Sequence, residues 1–285
     1  MFILTQLIGI LVAQFYFTHA LPYGLNSSIS QTQASAPSFI SIILAFILAI
    51  AIFFVLIKFK VKTAIRIWFF AVIIIALGVS FSVFLFQIFG NSFKILSLFA
   101  LVLALPIALS KIYSRNILSH NISELFIYPG IAILFIPLLN VLYLSILLVL
   151  ISLYYMWAVL RSGIMQKMAK YQMKELKVFS GFFVPYLTAE QRKRMTIAKK
   201  SGSKDKKIKV NVAILGGGDV VFPIIASGVL MKVFNNVWAP LIVVAGALLG
   251  LGLLLIFSQK KKFYPAMPFI SIGIFIAIGV CYLVF

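Results

Sequence analysis

Carboxylates are scarce in this chain: Glu124, Glu175, Glu190, Asp205 and Asp219 are all it has. Asp219 is the one whose surroundings demand a chemical reason. It falls in the apolar run from about 210 to 231, ten residues past Lys209, which on a helix is about 15 Å. An ionised carboxylate near the centre of a bilayer costs at least ~2.5–3.5 kcal/mol, so an acid at that depth is a functional-site candidate by default. Gly216, Gly217 and Gly218 precede it and Pro223 follows. Each glycine is about 1 kcal/mol less favourable than alanine inside a helix, so three together form a soft patch bare of side chains. That patch has two uses. It can be a small-residue packing face, with a protonated Asp219 hydrogen-bonded to a neighbouring helix. Alternatively, the helix can open there to admit water and an extended peptide beside the acid. Near the start of the last apolar run, Tyr264-Pro265-Ala266-Met267-Pro268 is expected to bar a regular helix across Pro268 and leave backbone groups free.

Other chemistries find little support. Cys281 is the only cysteine and lies within an apolar run, so neither an intrachain disulfide nor a cysteine metal site is possible. His19 and His120 fall at span edges on opposite sides, too far apart to share a metal, and no metal site is expected. The sequence has no P-loop, no dinucleotide fingerprint and no nucleophilic serine or cysteine motif, and no cofactor is expected.

The elements that must position Asp219 follow from composition. Of 285 residues, 63% are hydrophobic and 11% charged, with mean hydropathy +1.15. Soluble domains are roughly 45–50% apolar and about 25% charged, so lipid must be the solvent for most of this chain. Apolar runs of about 20 residues each suffice to span a bilayer. They predict an all-α polytopic membrane protein with nine transmembrane helices, near 2–20, 38–58, 67–89, 94–110, 122–139, 140–160, 210–231, 236–257 and 264–284. The fifth starts badly, interrupted by Glu124 and Pro129.

The net charge of +20 does not signal nucleic-acid binding, because the basic residues sit between apolar runs, as topology signals and lipid-headgroup contacts do. With nine spans, 23 of the 25 basic residues fall on one side, leaving Lys94 and Lys232 on the other. The positive-inside rule makes the rich side cytoplasmic, which puts the N-terminus in the cytoplasm and the C-terminus outside a cell membrane. Three parts follow: residues 1–160 with helices one to six, a basic cytoplasmic segment 161–209, and residues 210–285 with helices seven to nine. In the middle part, Ile164, Met168, Tyr171 and Leu176 set against lysines predict an amphipathic helix on the headgroups, and Gln191 to Lys209 a loop. Asn26 and Asn121 both fit the sequon pattern, and only Asn26 falls on the outer side.

At these residues the chain resembles the presenilin and signal-peptide-peptidase family of intramembrane aspartyl proteases, its archaeal members in particular. The family has nine spans, the N-terminus inside, and a catalytic GxGD in span seven. Here that motif reads Gly216-Gly217-Gly218-Asp219, continuing Val-Val-Phe-Pro in the archaeal manner. The family's PAL motif at span nine is matched by Pro265-Ala266-Met267, with methionine for leucine. In span six the family reads Tyr-Asp, two residues, then Ala-Val. This chain reads Tyr154-Tyr155-Met-Trp-Ala158-Val159, so Tyr155 holds the position of the second catalytic aspartate. The resemblance implies that Asp219 is catalytic and that Tyr154, Gly216 to Gly218 and Pro265 to Met267 bind substrate. It implies transmembrane helical proteins or peptides as partners, alongside the lipid bilayer.

The departure at Tyr155 bears directly on activity. Aspartyl proteolysis uses two carboxylates sharing a proton, one activating water while the other protonates the carbonyl oxygen. A phenol, with a pKa near 10, can donate a hydrogen bond but cannot serve as that base. The expectation is a presenilin-like protein that keeps its fold and substrate groove with hydrolysis abolished or severely impaired. Two alternatives stand beside it: a competent protease of the same family, and a proton- or ion-coupled transporter using Asp219.

Overall fold

The computed structural model describes residues 1–24, 36–59, 61–90, 92–113, 116–163, 168, 171–173, 179–186, 211–257 and 264–285. Among them are nine α-helices: α1 (Phe2–Thr18), α2 (Ala36–Lys58), α3 (Lys62–Phe89), α4 (Phe93–Tyr113), α5 (Ile117–Phe135), α6 (Val141–Met156), α7 (Gly217–Phe234), α8 (Trp238–Phe257) and α9 (Ala266–Val284). Seven stretches, α3, α4, α5 with the short turn after it, α6 with its continuation, and α7 to α9, are long and apolar enough to cross a membrane. The 17-residue α1 is apolar but shorter, and α2 is apolar over Phe39–Ala49. The amphipathic stretch predicted from Ile164 to Leu176 lies largely, and the loop from Gln191 to Lys209 wholly, outside the described residues.

Local chemistry sets several boundaries. Asn116 and Asn140 start α5 and α6, their side chains accepting the backbone N–H of Leu118 (3.0 Å) and Tyr143 (2.8 Å), as N-caps do. A left-handed glycine, Gly90 (φ 60°), ends α3, the usual glycine stop. Beyond Met156, α6 continues as a π-helical turn over Trp157–Arg161, closed by the Ser162 N–H on the Trp157 carbonyl at 3.1 Å.

α7 is the hub. It packs against α1, α5, α6, α8 and α9, and Val220, Ile224, Ala226 and Val229 are fully or almost fully buried in the main apolar core. Side-chain hydrogen bonds link the helices where lipid supplies no hydrophobic drive. Tyr16 of α1 donates to the Val79 carbonyl of α3 (2.9 Å), Ser80 of α3 to the Phe126 carbonyl of α5 (2.6 Å), and Ser152 of α6 to Ser271 of α9 (2.9 Å). α3 and α5 approach until a Cβ on Gly130 would overlap the Ala76 carbonyl oxygen. Backbone cannot yield there as a flexible side chain could. Gly130→Ala is therefore expected to lose at least ~1–3 kcal/mol, read as a lower midpoint in denaturing-detergent titration.

Two expectations need correction. The chain is mostly helical rather than all-α: β1 (Gly181–Tyr186) pairs antiparallel with β2 (Asn211–Gly216), Gly181 opposite Gly216 and Tyr186 opposite Asn211. The seventh helix accordingly begins at Gly217, not near 210. A short apolar run cannot by periodicity alone be told from a strand, and Gly216 ends a strand while Gly217 and Gly218 begin a helix rather than softening its interior. Nor does Pro268 bar a helix. It is the third residue of α9, whose N-cap is Pro265, and first-turn N–H groups have no intrahelical partner to lose.

Candidate functional site

Asp219 stands in the first turn of α7, three residues after the N-cap Gly216, and its side chain is buried at 6% exposure. Its carboxylate reaches back to the Gly216 backbone N–H, half of a capping box, at the helix end where the peptide dipoles favour negative charge. The other oxygen, Oδ1, is buried with no hydrogen-bond partner. Pro223, four residues on, has no N–H for the Asp219 carbonyl. From α1, Gln6 donates its Nε2 to the neighbouring Val220 carbonyl at 3.0 Å. The Asp219 carboxyl is thus held by one backbone N–H, with its other oxygen unused.

The two glycines before it make room for two tyrosines. A Cβ on Gly218 would stand 2.7 Å from the hydroxyl of Tyr155, which α6 delivers. A Cβ on Gly217 would stand 2.8 Å from Ser180 Oγ and 3.2 Å from the hydroxyl of Tyr128, which α5 delivers. The structure therefore brings Asp219, Gly216, Gly217, Gly218 and Tyr155 together. Tyr154 turns away: its ring is 48% exposed, between Tyr155 and Trp157. Pro265, Ala266 and Met267 are buried at the start of α9, and the latter two share the main core with Val220 and Val221.

Sequence reasoning missed the polar face of α5. Lys111 of α4, expected as a cytoplasmic topology signal, is buried in an ion pair with Glu124, both side chains almost inaccessible. His120 Nε2 lies 3.4 Å from the same carboxylate and 2.8 Å from the Gly181 carbonyl of β1. Because that carbonyl only accepts, Nε2 carries the proton. The Gly181 N–H donates to Glu124 Oε1 at 3.4 Å, and Asn121 bonds both backbone groups of Phe183. Glu124 also lies beside Tyr128. The signal was present as spacing: positions 120, 121, 124 and 128 fall on one helix face. Among the described residues, no cluster of three histidine, cysteine or acidic side chains could hold a metal.

The arrangement offers one carboxyl with a free oxygen, two phenols as hydrogen-bond donors, and a strand leading into the site. β1 turns the N–H and C=O of Gly181 and Phe183 toward α5, so Val212, Ile214 and Gly216, opposite the odd-numbered positions of β1, turn theirs away from the sheet. β2 thus turns one edge away from β1, running to Gly216 three residues before Asp219, with no third strand among the described residues.

Comparison with known proteins adds the family. A family model described as signal-peptide peptidase, presenilin aspartyl protease matches residues 1–285. No curated protein sequence matches. Among solved structures, a presenilin family intramembrane aspartate protease in a C222 crystal form is 18% identical, with a TM-score of 0.65 over 100% of this chain and 96% of that one. A presenilin family intramembrane aspartate protease in a P2 form, also 18% identical, gives a TM-score of 0.57 over 100% and 95%. At that identity the likeness is one of fold.

Proposed function

This chain belongs to the signal-peptide peptidase and presenilin family of intramembrane aspartyl proteases, and from that premise we propose that it binds membrane-spanning peptides and is impaired in cutting them. The observation that carries this reading is the Tyr155 hydroxyl beside Gly218, one residue from Asp219, where a second carboxylate would be needed. Asp219 is the remaining catalytic acid. Substrate unwinds into a strand along the open edge of β2, since extended peptides add to unpaired strand edges through main-chain hydrogen bonds. That route carries its carbonyls past Gly216, Gly217 and Gly218 toward Asp219. Pro265, Ala266 and Met267 line the far side, and Tyr154 meets substrate from the lipid.

The topology that goes with this function has nine spans, α1 to α9, with the N-terminus in the cytoplasm and the C-terminus outside. Residues 1–160 and 210–285 form the membrane body, and the basic segment 161–209 lies on the cytoplasmic face. Purified protein in nanodiscs, mixed with a fluorogenic single-span peptide, tests the reading. Expected are binding, seen as energy transfer to a labelled protein, and intact peptide after prolonged incubation. Cleavage products that vanish on Asp219→Ala would overturn the impaired reading, and absence of binding would remove the substrate groove.

A further inference from the structure

An asparagine side chain carries the same donor and acceptor pair as a peptide unit, and Asn121 uses both against one residue of β1. Its Nδ2 donates to the Phe183 carbonyl at 2.8 Å, and its Oδ1 accepts the Phe183 N–H at 3.0 Å. Two residues back along the strand, Gly181 is gripped the same way by two side chains, Glu124 accepting its N–H and His120 donating to its carbonyl. Two residues forward on the same edge is Pro185, which has no N–H to offer. The outer edge of β1 is therefore closed by α5 as a third strand would close it.

We infer that His120, Asn121 and Glu124 act as a side-chain strand that positions Asp219 through the β1–β2 pair and restricts strand addition to β2. The path is short. Gly181, held by Glu124 and His120, pairs directly with Gly216, and the Gly216 N–H meets the Asp219 carboxylate. A shift of β1 along α5 therefore moves the acid itself. Glu124 can occupy a buried site because Lys111 balances its charge; an unpaired buried carboxylate would be strongly unfavourable. Open strand edges recruit partners indiscriminately, and closing one of the two sends an incoming peptide to the edge that runs to Gly216, three residues before Asp219. These three side chains and Lys111 are positioning groups, not catalytic ones. The restriction to β2 rests on the strand-addition reading proposed above, whereas the hold on Asp219 does not.

The test uses the full chain in nanodiscs without any peptide, so its outcome is separate from that of the proposed function. Asn121→Leu keeps the branched shape of the side chain and removes both bonds to Phe183. Expected are amide exchange at Phe183 at least tenfold faster and a shifted infrared carboxyl band of Asp219, the band being assigned by its loss in Asp219→Asn. A role in stability alone would leave that band in place. The paired variant Lys111→Met with Glu124→Gln, which keeps an acceptor for the Gly181 N–H, is expected to leave both readouts near their starting values. If Asn121→Leu does not fold, Asn121→Ser, too short to span both groups of Phe183, is read in the same way. Unchanged Phe183 exchange, or an Asp219 band that does not move, would overturn the inference.

Discussion

Tyr155→Asp is expected to cut a membrane-spanning peptide faster than the unaltered protein does. The Tyr155 hydroxyl stands beside Gly218, so an aspartate there starts from a backbone already aimed at Asp219. Two neighbouring carboxylates share one proton, and that shared state supplies a base for water and an acid for the peptide carbonyl at once. Positioned general acid–base groups each contribute about 10²–10⁴-fold, so the gain should be at least ~10²-fold over background. Adding Asp219→Ala should abolish it, because groups that act as a unit fail together. A shorter side chain also vacates space beside Gly218, which the attacking water requires. Product formation followed by mass spectrometry reads both effects. No gain in Tyr155→Asp, with peptide binding retained, would mean that the two positions do not form one catalytic pair.

The second large effect is on the fold. Glu124→Ala leaves Lys111 buried without its partner, and breaking a buried ion pair from one side typically loses about 3–5 kcal/mol. It also strips the Gly181 N–H of its acceptor. A loss of that size should show as little folded protein recovered in mild detergent. Lys111→Met combined with Glu124→Gln should recover most of it, since neutralising both partners leaves no orphaned charge. If Glu124→Ala were as stable as the unaltered chain, the pair would not be buried as described.

How far the sequence disclosed this site depends on the kind of information each residue carries. Long apolar runs are unambiguous, and they gave most of the helices within a few residues. Asp219 stood out because an acid among apolar residues is rare enough to need a cause. Its place is the first turn of α7 rather than a helix interior, and nothing in residues 210–216 distinguishes a strand from the start of a helix until β1 is seen across from it. β1 comes from the basic stretch between the sixth and seventh helices, and strand pairing over such a separation leaves no local mark. Lys111 and Glu124 carry only the local marks of a flanking charge and a span end, although they belong to α4 and α5 and meet only after those helices pack. Tyr155 is the opposite case: only the motif around it marks it in the sequence, and the packing of α6 on α7 sets its hydroxyl beside Gly218.

The placement of Tyr155 against Asp219 carries the functional reading, and a fluorine label at that ring tests it directly. With 3-fluorotyrosine at position 155 in the full chain in nanodiscs, Asp219→Asn replaces the carboxyl group beside the ring and should move its ¹⁹F resonance. A resonance indifferent to Asp219→Asn would put the two side chains apart and contradict the assignment of Tyr155 to the position of a missing aspartate.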